Sequence, residues 1–186
     1  MWLLAMGVLG FSAVHLVPAM PAAKARLAGR LGAAYGPTFG VLSLVTLALI
    51  VAGWRMSPFV PVYEPPEGGR YVTFALVPLA FICLGIFIFR GRLRLRLRFP
   101  LALATSLWAT GHLFANGDLA SLILFGGLLA YATAHLLLGL AAGLKPTAEV
   151  RPGHDLLSIL IGLALFGMMT QLHQAIIGVP VVSLSL

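Results

Sequence analysis

Charge is what this sequence has least of. Only 9% of its 186 residues are Asp, Glu, Lys or Arg, and just five are acidic. With 60% hydrophobic residues and a mean hydropathy of +1.03, an ordinary soluble domain is excluded. Cysteine is nearly absent. Cys83 alone can form neither an intrachain disulfide nor a cysteine-based zinc site, and inside an apolar run it reads as a small buried thiol. There is no Ser-His-Asp grouping, no pair of carboxylates inside an apolar run, no Gly-rich phosphate loop and no HExxH. No internal repeat or low-complexity tract is visible. The N-terminal run also lacks a basic n-region, since the first positive side chain is Lys24, and it is too long for a signal-peptide core. It is expected to stay as a membrane-spanning helix.

What is present is a series of apolar runs of membrane length. The pattern predicts an all-α integral membrane helical bundle in a single domain, 1–186, with about six transmembrane helices. Their expected bounds are 2–20, 37–54, 71–89, 100–115, 119–143 and 155–178, against a need of about 20 residues per span. The second and fourth are short. Ten of the twelve basic residues fall in the loops between spans one and two, three and four, and five and six. They are Lys24, Arg26, Arg30, Arg90, Arg92, Arg94, Arg96, Arg98, Lys145 and Arg151; only Arg55 and Arg70 lie on the other side. The positive-inside rule then puts both termini in the periplasm of a multi-pass protein of the bacterial inner (cytoplasmic) membrane. It also accounts for the net charge of +7 without invoking nucleic acid.

The loops carry their own signals. In 21–36, Ala23, Leu27, Leu31 and Tyr35 recur every four residues, which predicts a short helix lying in the membrane interface. The segment 55–70, RMSPFVPVYEPPEGGR, is proline- and glycine-rich and reads as an irregular loop with Glu64 and Glu67 solvated. In 90–98, five arginines alternate with small or apolar residues. On a helix that period scatters charge all round; extended, it makes one basic edge. Either way it anchors topology and attracts anionic lipid, worth roughly 1 kcal/mol per basic residue. A sharper reading has one or two of these arginines holding carboxylates of a cofactor or substrate. Gly126, Ala130 and Ala134 make a small-xxx-small stripe that would let helices approach closely.

The stretch 99–118, FPLALATSLWATGHLFANGD, carries the chemistry. Thr105, Ala109, His112 and Asn116 share one helix face, flanked by Trp108. A histidine at membrane depth is costly and marks a functional site by default. His15 and His135 lie inside the first and fifth spans, whereas His154 sits in a loop and His173 near a helix end. Three intramembrane imidazoles on three helices suit iron ligation of the haem type. At 1.5 Å per residue, His112, His15 and His135 stand roughly 18, 8 and 12 Å above the basic ends of their helices. His15 and His135 match best in depth, and a modest tilt would bring His112 to either. Asn116-Gly117-Asp118 is turn chemistry, with Asp118 as an N-cap for the fifth span. A part for these residues in hydrogen-bonding His112 stays open.

The run Trp108-Ala-Thr-Gly-His112-Leu-Phe-Ala-Asn116-Gly117-Asp118 resembles the signature of the NnrU family. The early His15-Leu-Val-Pro18 and the Tyr131/His135 helix are similar to that family's pattern too. The resemblance spans essentially the whole chain. It implies a multi-pass inner-membrane protein linked to denitrification and to nitrite and nitric oxide reductases, related to the haem b enzyme 15-cis-ζ-carotene isomerase. It further implies haem b held through His15 and His112 as iron ligands, with His135 also matching a family histidine. Redox control of ligand exchange would then serve nitric oxide chemistry or a cis–trans isomerisation, and whether the chain turns over a substrate stays open. A second reading is a cofactor-free accessory or assembly protein for respiratory enzymes. A third, a membrane methyltransferase of the Arg-His-Pro type, is weakened because the string here is Arg98-Phe99-Pro100.

Overall fold

The computed structural model describes residues 1–146 and 149–181. It is an all-helical bundle whose outside is its most apolar part. Leu9, Leu44, Leu137 and Leu160 are each more than half exposed, as hydrocarbon-facing side chains must be. Helix α1 runs Trp2–Leu16 and passes into a 3-10 turn at Val17–Ala19, where Pro18 withholds an N–H. α2 is Pro21–Leu31 and α3 Tyr35–Arg55; α4 is Gly69–Phe89 and α5 the short Arg92–Leu97. α6 is Pro100–Leu113, α7 the single turn Leu119–Ser121, α8 Gly127–Ala141 and α9 His154–Ile177. A π-helical segment, Leu122–Gly126, joins α7 to α8, so the fifth predicted span is not a uniform α-helix.

Five stretches are long and apolar enough to cross a membrane: Trp2–Ala19, Pro21–Arg55, Gly69–Phe89, Leu119–Ala141 and His154–Ile177. The chain is a membrane protein. The predicted span at 100–115 is the exception. α6 has 14 residues, about 21 Å of rise, and falls short of a bilayer's hydrocarbon core of about 30 Å. It packs between α4 and α8.

The helices associate through three close pairings, α4 with α6, α1 with α3 and α4 with α9, and α8 links α6 to α1. Lipid tails are as apolar as leucine, so close backbone approach rather than hydrophobicity selects these seams. A Cβ on Gly53 would run into the backbone of Leu4, and one on Gly7 would lie 2.7 Å from the Ile50 nitrogen. Between α4 and α9, Gly85 faces the carbonyl of Ser158 and Gly162 that of Phe81. The expected stripe of Gly126, Ala130 and Ala134 is not such a seam. Ala130 is exposed, and Gly126 meets only Leu122 of its own turn. At the end away from the arginine run, Arg55 joins α3 to α9, its Nη2 donating to the carbonyl of Ile176 at 2.9 Å.

The interfacial helix expected in 21–36 forms as α2, with Leu27 and Leu31 exposed and Gly32 (φ +51°) ending it. The arginine run takes the helical alternative over Arg92–Leu97, which spreads its charges around the axis. Asp155 starts that helix, its Oδ1 accepting from the Leu93 amide at 2.9 Å. Burial, and then the neighbouring charge of Arg90, lowers the Arg94 guanidinium below its ordinary range.

The glycine seams give a sharp test. Gly85→Ala should cost more than about 1 kcal/mol, because one methyl must push α4 off α9. Gly167→Ala, whose methyl meets nothing, should be neutral or slightly stabilising. Unfolding in mixed micelles measures both.

Candidate functional site

The three histidines singled out in the sequence, His15, His112 and His135, share one construction. Each follows an aromatic residue by one helical turn: Phe11 and His15, Trp108 and His112, Tyr131 and His135. His15 stacks on Phe11 with ring centroids 3.8 Å apart, and His112 lies 4.9 Å from Trp108. Each also spends its Nδ1 on a main-chain carbonyl. The distances are 2.9 Å from His15 to Phe11, 2.8 Å from His112 to Trp108 and 3.3 Å from His135 to His15. A carbonyl only accepts, so Nδ1 carries the proton in all three rings. The neutral tautomer then keeps its lone pair on Nε2. An imidazole oriented this way is how proteins present a metal ligand, and it equally satisfies a buried ring with no ligand at all.

His154 and His173 use Nδ1 the same way but serve helix ends. His154 donates to the carbonyl of Phe89 at 2.8 Å, closing α4, and His173 to that of Val179 at 2.6 Å. Both match the capping and interfacial roles their positions suggest.

The bundle brings two of the three site histidines together and holds the third apart. His15 and His135 meet through their hydrogen bond and share Tyr131, which stands edge-on to both at 6.3 and 5.9 Å. His112 instead stacks on Phe125 at 4.5 Å, in a nest with Trp108 and, through Phe125, Trp54. Phe125 and Tyr131 are six residues apart, about 9 Å along the helix. His112 therefore packs nearly two turns earlier along this stretch than the His15–His135 pair. Among the described residues no group of three or more His, Cys, Asp or Glu side chains is placed to hold a metal ion.

A cavity of about 270 Å³ lies among α1, α4, α6 and α8, and among the described residues no histidine lines it. Phe11 and Trp108, the rings that back His15 and His112, line it together with Ala80, Phe81, Thr105 and Leu128. Its one hydroxyl, that of Thr105, already donates to the Leu101 carbonyl at 3.1 Å. The cavity thus offers a ligand apolar contact and nothing else. Sequence reasoning found the histidines but not this space, because the wall contributed by α4 has no polar residue to mark it.

A family model described as NnrU protein matches residues 3–181. The chain belongs to the NnrU family. No curated protein and no solved structure matches it. In this NnrU family chain the Trp108–Asp118 segment is fixed from outside by the loop after α3. Val62 and Tyr63 donate their amides to the carbonyl of Gly117 at 2.8 and 3.0 Å, and Leu119 donates to that of Val60 at 2.8 Å. The Tyr63 hydroxyl bonds the carbonyls of Leu113 and Asn116, and Thr73 Oγ1 that of Gly111 at 2.7 Å. Leu113 is the last residue of α6, and its carbonyl has no partner within the helix. Asp118 caps the next helix as expected, accepting from the Ser121 amide at 3.0 Å and from its hydroxyl. Asn116 donates to the main-chain carbonyl of His112 at 2.8 Å and not to its ring.

Partial burial, and then the nearby Asp118 charge, raises the Tyr63 phenol above its usual value near 10. A folded-state value above the unfolded one means the contribution is whole below pH 10 and is lost as pH rises through the raised value. Amide exchange of the 56–68 loop should therefore quicken above pH 10 in the wild type. Tyr63→Phe should exchange faster at neutral pH and lose that alkaline step.

Proposed function

We propose that this NnrU family protein binds haem b within its membrane-spanning bundle and works through it in nitric oxide-linked respiratory metabolism. The observation that carries the reading is the shared state of His15, His112 and His135. All three hold Nδ1 on a main-chain carbonyl, which leaves the lone pair on Nε2, and the rings a turn before His15 and His112, Phe11 and Trp108, line an apolar cavity. That donor set fits iron-porphyrin ligation: neutral imidazoles, aromatic backing and an apolar seat. Bound there, the group would supply iron that changes its ligand preference with oxidation state. The chain's part is to orient each imidazole, to exclude water with Phe11, Trp108 and Tyr131, and to keep the rings neutral. His15 and His135 form the closer pair, and His112 stands apart on Phe125.

The same apolar cavity favours a second reading, redox-controlled cis–trans isomerisation of a hydrocarbon-like substrate, because it offers contact without hydrogen bonds. The arginine-rich end would face the cytoplasm of a bacterial cell and meet anionic lipid through Arg90–Arg98. Respiratory enzyme partners follow from the family's association with denitrification.

Purified protein supplemented with haem should give a Soret band that shifts on reduction with dithionite. His15→Ala and His135→Ala should each reduce that band at least tenfold at limiting haem, and His112→Ala should weaken it or change its position. A wild-type chain with no Soret band removes the proposal. It would leave the reading of a cofactor-free accessory protein, in which single His→Ala changes do nothing.

A further inference from the structure

The apolar cavity runs toward the arginine-rich end, and one arginine lies just beyond it. On α6, Leu101, Thr105 and Trp108 line it along one helix face, about 10 Å from first to last. On α4, Ala80 and Leu84 line it one turn apart. The cavity is thus a slot parallel to the helix axes. It exists because two small residues face each other. Gly69 lies against Phe114 and Thr73 bonds Gly111, and that antiparallel register brings Ala80 opposite Ala104. Both alanines are buried. Apolar cavities of about 150 Å³ stay dry and accept a benzene, so one of about 270 Å³ has room for a length of hydrocarbon. Leu101 lines the slot and is also exposed, so the slot meets the bilayer there.

Ala80 and Leu84 share their face of α4 with Phe87, one turn nearer the helix end. Arg94 is laid back on that residue. Its Nη1 donates to the Phe87 carbonyl at 2.8 Å, and its guanidinium carbon lies 5.1 Å from the centroid of the Phe87 ring. Neither partner carries a charge, and the charge bearing on Arg94 is that of Arg90, of its own sign. Asp155, the carboxylate tied to this loop, is turned to the Leu93 amide instead. A guanidinium has five N–H donors, so one bond to a carbonyl leaves others for an anion. We propose that this face binds one anionic phospholipid, with an acyl chain in the slot and its phosphate on Arg94. The inference rests on the reading that Arg90–Arg98 meets anionic lipid, and not on haem. It narrows that reading from a charged surface to a single seat. The chain is recognised by the slot and the headgroup by the arginine one turn past it.

The test is native mass spectrometry of delipidated protein in detergent, titrated with palmitoyl-oleoyl phosphatidylglycerol, palmitoyl-oleoyl phosphatidylcholine and dihexanoyl phosphatidylglycerol. The variants are Arg94→Gln, which keeps a donor for the Phe87 carbonyl, Ala104→Leu, which fills the slot, and Arg26→Gln on α2 as a charge control. The wild type should bind the long-chain phosphatidylglycerol about fivefold more tightly than phosphatidylcholine, the attraction of one basic side chain. It should bind the dihexanoyl form at least tenfold more weakly. Arg94→Gln should lose the headgroup preference, Arg26→Gln should keep it, and Ala104→Leu should weaken both long-chain lipids alike. If Ala104→Leu does not fold, the chain-length comparison in the wild type tests the slot. A preference that survives in Arg94→Gln, or falls equally in Arg26→Gln, overturns the seat and leaves a diffuse basic surface. Equal binding of long and short chains overturns it as well. A wild type with no preference between the two headgroups overturns the anionic-lipid reading, and this inference with it.

Discussion

An N–H at membrane depth has no water to bond, and the rest of this architecture follows from that constraint. Helices satisfy the backbone internally. The three intramembrane imidazoles cannot be satisfied by their own helices alone without a choice of rotamer and tautomer. His15 and His112 reach back one turn to a carbonyl on their own helix, and His135 reaches across to the carbonyl of His15. In each case one nitrogen is committed and the other kept open. The aromatic residue a turn earlier then does two things at once. Its carbonyl accepts the Nδ1–H hydrogen bond in the first two cases, and its ring packs against the imidazole.

Helix association answers the same environment differently. Where two backbones must touch, a missing side chain is the means, as at Gly53 against Leu4 and Gly85 against Ser158. Where a helix must stop inside the protein, another segment supplies the donors. The loop through Tyr63 does this for α6, whose 14 residues end within the bundle's depth. The Trp108–Asp118 segment is therefore held on one side by packing and on the other by hydrogen bonds from a proline-rich loop.

Much of this was legible in the sequence. The predicted spans fall within two residues of the observed helix ends at every boundary, except where Ala19 and the 3-10 turn close α1. Long apolar runs bounded by Pro, Gly and Arg leave a helix little room to end elsewhere. The Asp118 cap was legible because its chemistry is local. What could not be read was lateral. Depth along separate helices does not say which faces meet. It matched His15 to His135, which meet, but it did not show that His112 would stack on Phe125. The packing seams lay at Gly7, Gly53, Gly85 and Gly162, none of which repeats at the spacing that made Gly126, Ala130 and Ala134 conspicuous. The arginine run became a helix because a distant carboxylate, Asp155, caps it.

The π-helical segment at Leu122–Gly126 sets the azimuth of everything after it. It adds one residue to a turn, and one residue is about 100° of rotation on a helix. Phe125 and Tyr131 contact different histidines because that surplus is absorbed between Ser121 and Gly127. A chain one residue shorter there would wind as plain α-helix, and Tyr131 and His135 would swing a quarter-turn away from α1. The protein's polar contacts across this interface thus have their phase fixed by five apolar residues that touch no imidazole except through Phe125.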